Sequence, residues 1–187
     1  MPQTARKRGV SFEEYLAGEE VADLKHELID GEVYAMTGAM LRHVAVTGNI
    51  QVALRLALRG GRCRVYASDA MVRTPEDAAF YPDVVVTRSE RDTHPRIVAH
   101  PSLVVEVLSE GTGAYDRGLK FERYRAIPTL EEYVVVDPDR VAVDVHRRGE
   151  SGLWVLHPFR DGDTVELTSV GVSLPISAVY EDAGAPE

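Results

Sequence analysis

The chain has 187 residues, 44% hydrophobic and 27% charged, a composition typical of a soluble globular protein with one core of useful size. Its net charge of −9, from 21 basic and 30 acidic residues, argues against a protein that coats nucleic acid through a broad basic surface. Cys63 is the only cysteine, which excludes an internal disulfide and a thiolate metal cluster and fits a cytoplasmic location. No apolar segment approaches the roughly 18 residues that span a bilayer, and no apolar stretch follows the basic N-terminus MPQTARKRGV, so we expect neither a membrane protein nor a secretory signal.

The first predicted elements are a short helix and a hairpin. Ser11 with Glu14 three residues later forms a capping-box pattern, which predicts a helix over 11–24. In HELIDGEVYAMT, apolar residues flank Asp30-Gly31, the strongest short-range signal for a tight hairpin turn.

A long helix follows over 40–58, where apolar residues recur at helical spacing. The glycine pair at 60–61 ends it. Residues 62–73 alternate loosely and predict one strand followed by a loop. The apolar stripe of the helix consists of Val46, Ile50, Ala53, Leu54, Ala57 and Leu58.

The second half of the chain is richer in strands. A helix over about 114–127 is stopped by Pro128. The element order predicts a single mixed α/β domain over 1–187 built around one sheet, with a core at about 11–140 and an antiparallel extension at 140–180. Strands are predicted at 81–88, 102–109 and 131–138, and an antiparallel meander at 140–147, 152–159 and 163–168.

Two acidic residues interrupt the apolar strands. Glu106 sits in the middle of LVVEVLS, and Asp83 stands at the mouth of the strand in YPDVVV. Burial of an ionised carboxylate in a strand removes its hydration, which costs on the order of several kcal/mol unless a partner replaces the water. Adjacent strands lie about 4.8 Å apart, so two carboxylates at matching heights can reach one ion. Such hard oxygen ligands favour Mg²⁺ or Mn²⁺.

Lys120 is the third candidate. In DRGLKFERY and the residues after it, Asp116, Lys120, Tyr124 and Ile127 fall on one helix face that turns inward at its far end. Lys120 would there aim its ammonium at the strand carboxylates, orient an attacking water and stabilise charge on a phosphate. The alternative is a surface pair with Asp116, worth about 0.3–0.5 kcal/mol.

Other enzyme signatures are missing from the sequence. It contains no HExxH zinc motif, no phosphate-cradling GxxxxGK[ST] loop and no GxSxG serine elbow. These absences argue against a zinc hydrolase, a nucleotide-driven enzyme and a serine hydrolase.

The stretches YPDVVV, SLVVEVLSEGT and YDRGLKFERYRAIPTLEEYVVVDP, in this order and spacing, resemble the Uma-two family of putative restriction endonucleases, a branch of the PD-(D/E)XK nuclease superfamily. The upstream stretch HELIDGEVYAMTGAMLRHVAVTGNIQVAL is similar to the opening hairpin and helix of that family. The resemblance covers roughly residues 11–140.

The resemblance implies a restriction-endonuclease-like fold and a Mg²⁺-dependent nuclease site. Asp83 supplies the first acid, Glu106 the second, and Lys120 the lysine, while His43 at the start of the long helix is a further site residue. The superfamily often places its lysine two residues after the second acid, but that position here is Leu108. It also frequently offers a glutamate on the first long helix, yet residues 40–58 contain no acid. The mechanistic hypothesis adds the Val107 carbonyl as a metal ligand, and Glu32 is a candidate outer ligand.

Plainer interpretations stay open at this point. Glu106 could be neutralised by an arginine or by backbone amides, and Asp83 could be an ordinary residue at a strand edge. A lone inward histidine such as His43 is often a hydrogen-bonded core residue. Glu32 could be a solvated strand residue.

Three functions follow from these alternatives. The first is a nuclease acting on nucleic acid, with DNA as the expected partner, assembled as a homodimer. The second is a binding module that keeps the fold without cutting, and the third is a metal-dependent hydrolase of small phosphate compounds. Because the net charge is acidic, nucleic acid would need a local groove of arginines, with Arg42, Arg62, Arg64 and Arg117 as candidates.

Overall fold

The computed structural model of the chain describes residues 9–36, 38–109 and 115–184. It confirms the predicted mixed α/β class, with a helix and hairpin at the N-terminal end and antiparallel strands at the C-terminal end. The helical segments are α1 (Phe12–Glu19), α2 (Leu41–Ala57), a π-helix (Asp116–Lys120), α3 (Phe121–Tyr124) and α4 (Ile176–Val179). The strands are β1 (His26–Ile29), β2 (Glu32–Ala35), β3 (Arg64–Ala67), β4 (Met71–Arg73), β5 (Ala79–Phe80), β6 (Val84–Thr87), β7 (Ile97–Val98), β8 (Pro101–Val107), β9 (Glu132–Asp137), β10 (Ala142–Arg148), β11 (Trp154–Arg160), β12 (Thr164–Leu167) and β13 (Val172–Pro175).

The strands divide among three sheets, whereas the sequence predicted one. A six-stranded sheet has the order β11-β10-β9-β8-β6-β3, a five-stranded sheet has the order β2-β1-β5-β4-β7, and β12 pairs with β13. The segment 62–73 therefore holds two strands in different sheets. Ser68, with φ 54°, reverses the chain between them, and apolar alternation carries no signal of such a bend.

Strand β8 lies inside the six-stranded sheet and positions the site. It pairs antiparallel with β6 and parallel with β9, and all seven of its residues are buried. Val105 packs into the core under α2, whereas Val104 packs into a second core with Tyr124 of α3. Because both faces are covered, the strand is a continuous apolar run, and Glu106 shares the face of Val104.

The two predicted N-terminal elements are present. The Ser11–Glu14 capping box starts α1, which ends at Glu19 and not at the predicted residue 24. The Asp30-Gly31 turn joins β1 to β2, with φ 50° and 79° at these two residues, the left-handed values that such turns need.

Helix α2 matches its predicted bounds closely. Val46, Ile50 and Leu54 are buried against the six-stranded sheet, while Ala57, predicted on the same stripe, is exposed.

The C-terminal strands depart from the predicted three-stranded meander. β10 and β11 continue the six-stranded sheet, but β12 leaves it and pairs with β13, a strand that the sequence did not predict. Buried Glu132 holds this hairpin, since its carboxylate accepts hydrogen bonds from the backbone of Thr168 and Ser169 at 3.1 and 2.9 Å.

Some predictions fall partly outside the described residues. The start of the helix predicted over 114–127 does so, and its described part ends at Tyr124, before Pro128. Most of the N-terminal stretch 1–10 and residues 185–187 also lie outside. Among the described residues, no helix is both long enough and apolar enough to cross a bilayer.

Candidate active site

Asp83 and Glu106 lie beside each other on one face of the six-stranded sheet. Val84 of β6 pairs with Val105 of β8 in an antiparallel ladder, so the residue before Val84 lies opposite the residue after Val105. The backbone N–H of Val107 donates a 2.7 Å hydrogen bond to Oδ2 of Asp83 and fixes that carboxylate against β8.

Glu106 is buried and accepts hydrogen bonds from two side chains of the helical segment. The Tyr124 hydroxyl donates to its Oε1 at 3.0 Å, and Lys120 Nζ donates to the same oxygen at 3.4 Å. Burial raises the pKa of Glu106 well above its usual value; the charge of Lys120 opposes this shift, and the charge of Asp83 adds to it. The alternative in which an arginine or backbone amides neutralise Glu106 is wrong for the described residues, because its partners are a lysine and a tyrosine.

Lys120 is enclosed by three carboxylates. Its Nζ lies 2.8 Å from Oε1 of Glu27, 3.4 Å from Oε1 of Glu106 and 3.5 Å from Oδ1 of Asp116. Burial lowers the pKa of Lys120, but these carboxylates outweigh burial and hold it above its usual value. Only 9% of the side chain is exposed, so the alternative of a surface pair with Asp116 is wrong.

Glu27 is the member of this cluster that the sequence interpretation missed. It lies on β1, is itself buried, and accepts a 3.2 Å hydrogen bond from the Tyr115 hydroxyl. The signal was present in HELI, where a glutamate precedes two apolar strand residues just as Glu106 stands among valines. Asp116 was noted only as a helix neighbour of Lys120, yet it completes the ring of acids.

His43 comes to the site from the first turn of α2. Its Nε2 lies 3.3 Å from Oδ2 of Asp83. Burial lowers the pKa of His43, but hydrogen bonding to Asp83, the charge of Asp83 and the Val107 backbone raise it above its usual value. Glu32, the expected outer ligand, is exposed on β2, pairs with Ile29 next to the hairpin turn, and accepts a hydrogen bond from the Tyr34 hydroxyl. It does not line the cavity that holds the other acids.

These side chains share one cavity of about 400 Å³. It is lined by Glu27, His43, Asp83, Glu106, Val107, Asp116 and Lys120, among others. Four carboxylates thus face the buried Lys120 ammonium and one imidazole. Lys25 also lines the cavity but is paired with Asp69 at 2.7 Å, so an excess of negative charge remains in a partly buried space.

The donor set fits a hard divalent cation. Among the described residues, no three or more His, Cys, Asp or Glu side chains are arranged to hold a metal by themselves, which disfavours zinc. Mg²⁺ sites need only one or two carboxylates and keep several waters. Within the same residues, hydrogen bonds occupy Oδ2 of Asp83 and Oε1 of Glu106, so each carboxylate keeps a second oxygen for a ligand.

Arg42 and Arg62, two of the four arginines proposed for a groove, lie at opposite ends of α2 and do not share one groove. Arg42 lies in the first turn of α2 and contacts Asp139 and the Gly184 carbonyl, whereas Arg62 lies beyond the other end of that helix. Arg64 donates to the Ser89 carbonyl. A helix of 17 residues, about 25 Å long at 1.5 Å per residue, separates the first two.

Comparison with known proteins identifies the family of the chain. The Uma2 family model, described as a putative restriction endonuclease, matches residues 12–177. The chain belongs to the Uma2 family. Two uncharacterized proteins of Synechocystis sp. are similar to it: slr1290, 36% identical over 173 residues (91% of each chain), and sll1609, 35% identical over 147 residues (76% of this chain and 83% of the other).

The fold of this Uma2 protein is also similar to a crystal structure described as a putative nuclease belonging to DUF820 from Anabaena variabilis. The TM-score is 0.71 at 17% sequence identity, and the match covers 94% of this chain and 99% of the other. The likeness confirms the predicted nuclease-like fold.

The departures of this Uma2 protein from the superfamily pattern have a structural counterpart. Leu108, where the lysine often lies, is a buried residue of the second core, and the lysine beside Glu106 comes instead from the π-helix. Helix α2 offers no acid, and the additional glutamate of the cluster comes from β1.

Proposed function

We propose that this Uma2-family protein is a metal-dependent endonuclease that hydrolyses phosphodiester bonds of nucleic acid, with DNA as the expected substrate. The observation that carries the proposal is the cavity in which four carboxylates, one buried lysine and one histidine meet without enough positive charge to balance them. A divalent cation and the phosphate bound to it would complete that balance.

Asp83 and Glu106 would hold Mg²⁺ or Mn²⁺ through oxygens that face the cavity, together with the Val107 carbonyl. When bound, the ion lowers the pKa of a coordinated water and polarises the scissile phosphodiester. Asp83 is well suited to this role because the Val107 amide fixes its carboxylate.

Lys120 would act as an electrostatic stabiliser and not as a base. Its pKa is held above the usual lysine value, so the ammonium keeps its proton at neutral pH and can only donate hydrogen bonds. It would therefore orient the attacking water or neutralise charge that develops on the phosphate. His43, next to Asp83, would contact the phosphate or relay a proton, because imidazole exchanges protons near neutral pH.

A cleavage assay tests the proposal. Supercoiled plasmid is incubated with the protein and Mg²⁺, Mn²⁺ or EDTA, and Glu106→Gln and Lys120→Met are compared with wild type. We expect nicking that needs the metal and falls at least about 100-fold in each variant, as for loss of a group that stabilises the transition state. Glu32→Gln, outside the cavity, is the matched control and should cut normally.

Cleavage that survives both site substitutions would reject this mechanism. Release of phosphate from nucleotides with intact plasmid would favour a small-molecule hydrolase, and metal-independent DNA binding without any product would favour a binding module. The predicted homodimer and cytoplasmic location stay predictions, to be measured by light scattering and by cell fractionation.

A further inference from the structure

A second cavity, of about 640 Å³, adjoins the candidate active site. Lys25 and Tyr81 line both cavities, so the two cavities share part of their walls. The walls of the second cavity come from Gln51 and Arg55 of α2, the edge strand β3, the segment between α1 and β1, and the segment before β7. Its volume lies in the range of about 300–1,000 Å³ that is usual for ligand sites.

An exposed aromatic ring stands in this cavity close to Asp83. Tyr66 lies on β3, 40% exposed, and pairs with Val85 of β6. Asp83 precedes Val85 by two residues and so shares its face of the sheet, which makes Tyr66 and Asp83 diagonal neighbours, about 7–8 Å apart by the usual spacing. A nucleic-acid chain whose scissile phosphate lies near Asp83 would thus place its next nucleotide over the Tyr66 ring.

Two arginines in the cavity keep free charge. Across residues 9–36, 38–109 and 115–184, neither Arg55 nor Arg96 forms an ion pair, whereas arginines such as Arg73, Arg123 and Arg147 are bound to carboxylates. Arg55 lies on α2 and Arg96 just before β7, and both line the cavity.

Most acids around the same cavity are already engaged. Glu19 accepts hydrogen bonds from His26 and Tyr81, and Asp69 is paired with Lys25 at 2.7 Å. Asp92 accepts from His100 and Thr87, which leaves Asp23 as the acid of this cavity without a partner among the described residues. The lining thus holds Lys25, Arg55 and Arg96 against Glu19, Asp23, Asp69 and Asp92, so its charge is close to balanced, in contrast to the acidic candidate active site. Within the described residues, Arg55 and Arg96 supply its positive charge that has no ion-pair partner.

We propose that this cavity binds the nucleotides next to the scissile phosphate, with Tyr66 stacked on a base and Arg55 and Arg96 on the flanking phosphates. This inference rests on the proposed nuclease function and names its substrate class: nucleic acid that is unpaired beside the cut. Bases inside a duplex are stacked on both faces, so the Tyr66 ring is available only to an unpaired base. Proteins that bind single-stranded nucleic acid commonly combine basic side chains, which contact phosphates, with aromatic rings, which stack on bases.

Binding of oligonucleotides in EDTA tests the inference without any cleavage. A fluorescein-labelled single strand and the matched blunt duplex are titrated with wild-type protein, and anisotropy gives Kd for each. We expect the single strand to bind at least about tenfold more tightly, and Tyr66→Ala to weaken that binding about tenfold, the usual effect of losing one stacked base. Tyr66→Phe keeps the ring and should bind as wild type does.

The arginines are tested through salt dependence. Arg55→Gln and Arg96→Gln should each lower the slope of log Kd against log salt by about 0.7, the value for one phosphate contact on a single strand. Arg59→Gln, two residues past the end of α2 and outside the cavity, is the matched control and should leave the slope unchanged.

The outcomes separate this inference from the proposed chemistry. If Tyr66→Ala weakens binding of the single strand but no metal supports cleavage, the second cavity is a single-strand binding site and the nuclease proposal fails. If plasmid is cut and the Tyr66 and arginine variants bind and cut like wild type, the proposed binding of nucleotides in the second cavity is wrong and the nuclease proposal stands. Equal binding of single strand and duplex, or no binding of either, overturns the inference.

Discussion

Lys120 lies closer to Glu27 than to Glu106: its Nζ is 2.8 Å from the first carboxylate and 3.4 Å from the second. Glu27 belongs to the five-stranded sheet and Glu106 to the six-stranded sheet, so one ammonium joins the two sheets at the candidate active site. The lysine therefore has a structural role beside its proposed catalytic one, and the two roles can be measured separately.

Removing the Lys120 charge should destabilise the metal-free protein. Lys120→Met fills similar space but leaves Glu27, Glu106 and Asp116 without their cation, and breaking a buried ion pair from one side costs about 3–5 kcal/mol. Urea unfolding in EDTA measures the loss.

Lys25→Met is the matched control for that measurement. Lys25 forms a 2.7 Å pair with Asp69, but the two side chains are 42% and 84% exposed, so the cost should stay below about 1 kcal/mol. Adding Glu106→Gln to Lys120→Met should recover part of the stability, because one of the uncompensated acids is then neutral. Equal costs for Lys120→Met and Lys25→Met would contradict the buried cluster.

Divalent cations should stabilise the folded protein in the absence of nucleic acid. At about 100 times its Kd, a bound Mn²⁺ or Mg²⁺ adds about 2.7 kcal/mol, which raises Tm by several degrees in a protein of this size. Asp83→Asn and Glu106→Gln should each abolish the shift in a thermal melt, and Glu32→Gln should retain it. A full shift in both site variants would place the cation elsewhere.

The Glu106 carboxyl should make stability depend on pH. Its pKa in the folded protein is raised above the ordinary value of 4.5, first by burial, so the folded state holds this proton more tightly than the unfolded chain does. Its contribution to stability is therefore complete below about pH 4.5 and is lost as pH rises through the folded-state pKa.

Comparing wild type with Glu106→Gln isolates this effect, because the amide does not titrate. In EDTA, the variant should be more stable than wild type at pH 8, and the difference should shrink as pH falls toward 5. Urea unfolding across this range is the measurement, and a difference that is constant with pH would contradict it.

Glu132 should be the most costly acid to change away from the cavity. It is fully buried and accepts from Arg147 Nε at 2.7 Å and from the backbone and side chains of Thr168 and Ser169. Glu132→Gln removes the charge that strengthens these bonds and turns an acceptor into a donor, at a cost of about 2–4 kcal/mol by the usual range for charged hydrogen bonds. Glu131→Gln, at the exposed neighbour paired with Arg88, should cost less than about 1 kcal/mol in the same urea experiment.

The sequence predicted the elements whose signals are local. Helix α2 follows from its apolar spacing, the hairpin from Asp30-Gly31, and the start of α1 from its capping box. The unusual acids in apolar runs and the helix face of Lys120 also singled out residues that the structure brings to one cavity.

Features that depend on tertiary pairing were not predictable in this way. The division of 62–73 between two sheets depends on a left-handed residue at Ser68, which no pattern required. Glu27 was missed because a short hairpin strand with one glutamate is usually half-solvated, whereas here Lys120 and Tyr115, distant in sequence, contact its carboxylate. The prediction of a shared arginine groove was wrong for Arg42 and Arg62, because the length of α2 separates their guanidinium groups.

The π-helix between Asp116 and Lys120 holds a wider turn than an α-helix, and its first carbonyl, that of Asp116, accepts a 2.8 Å hydrogen bond from the Tyr133 hydroxyl. Such a bulge amounts to one inserted residue. Deleting Gly118 would restore regular winding and rotate Tyr115 and Asp116 by about 100°, the angle of one α-helical residue, which carries Tyr115 away from Glu27 and Asp116 away from Lys120. The loss of a single codon would therefore break up the acid cluster around Lys120 with every one of its acids still encoded.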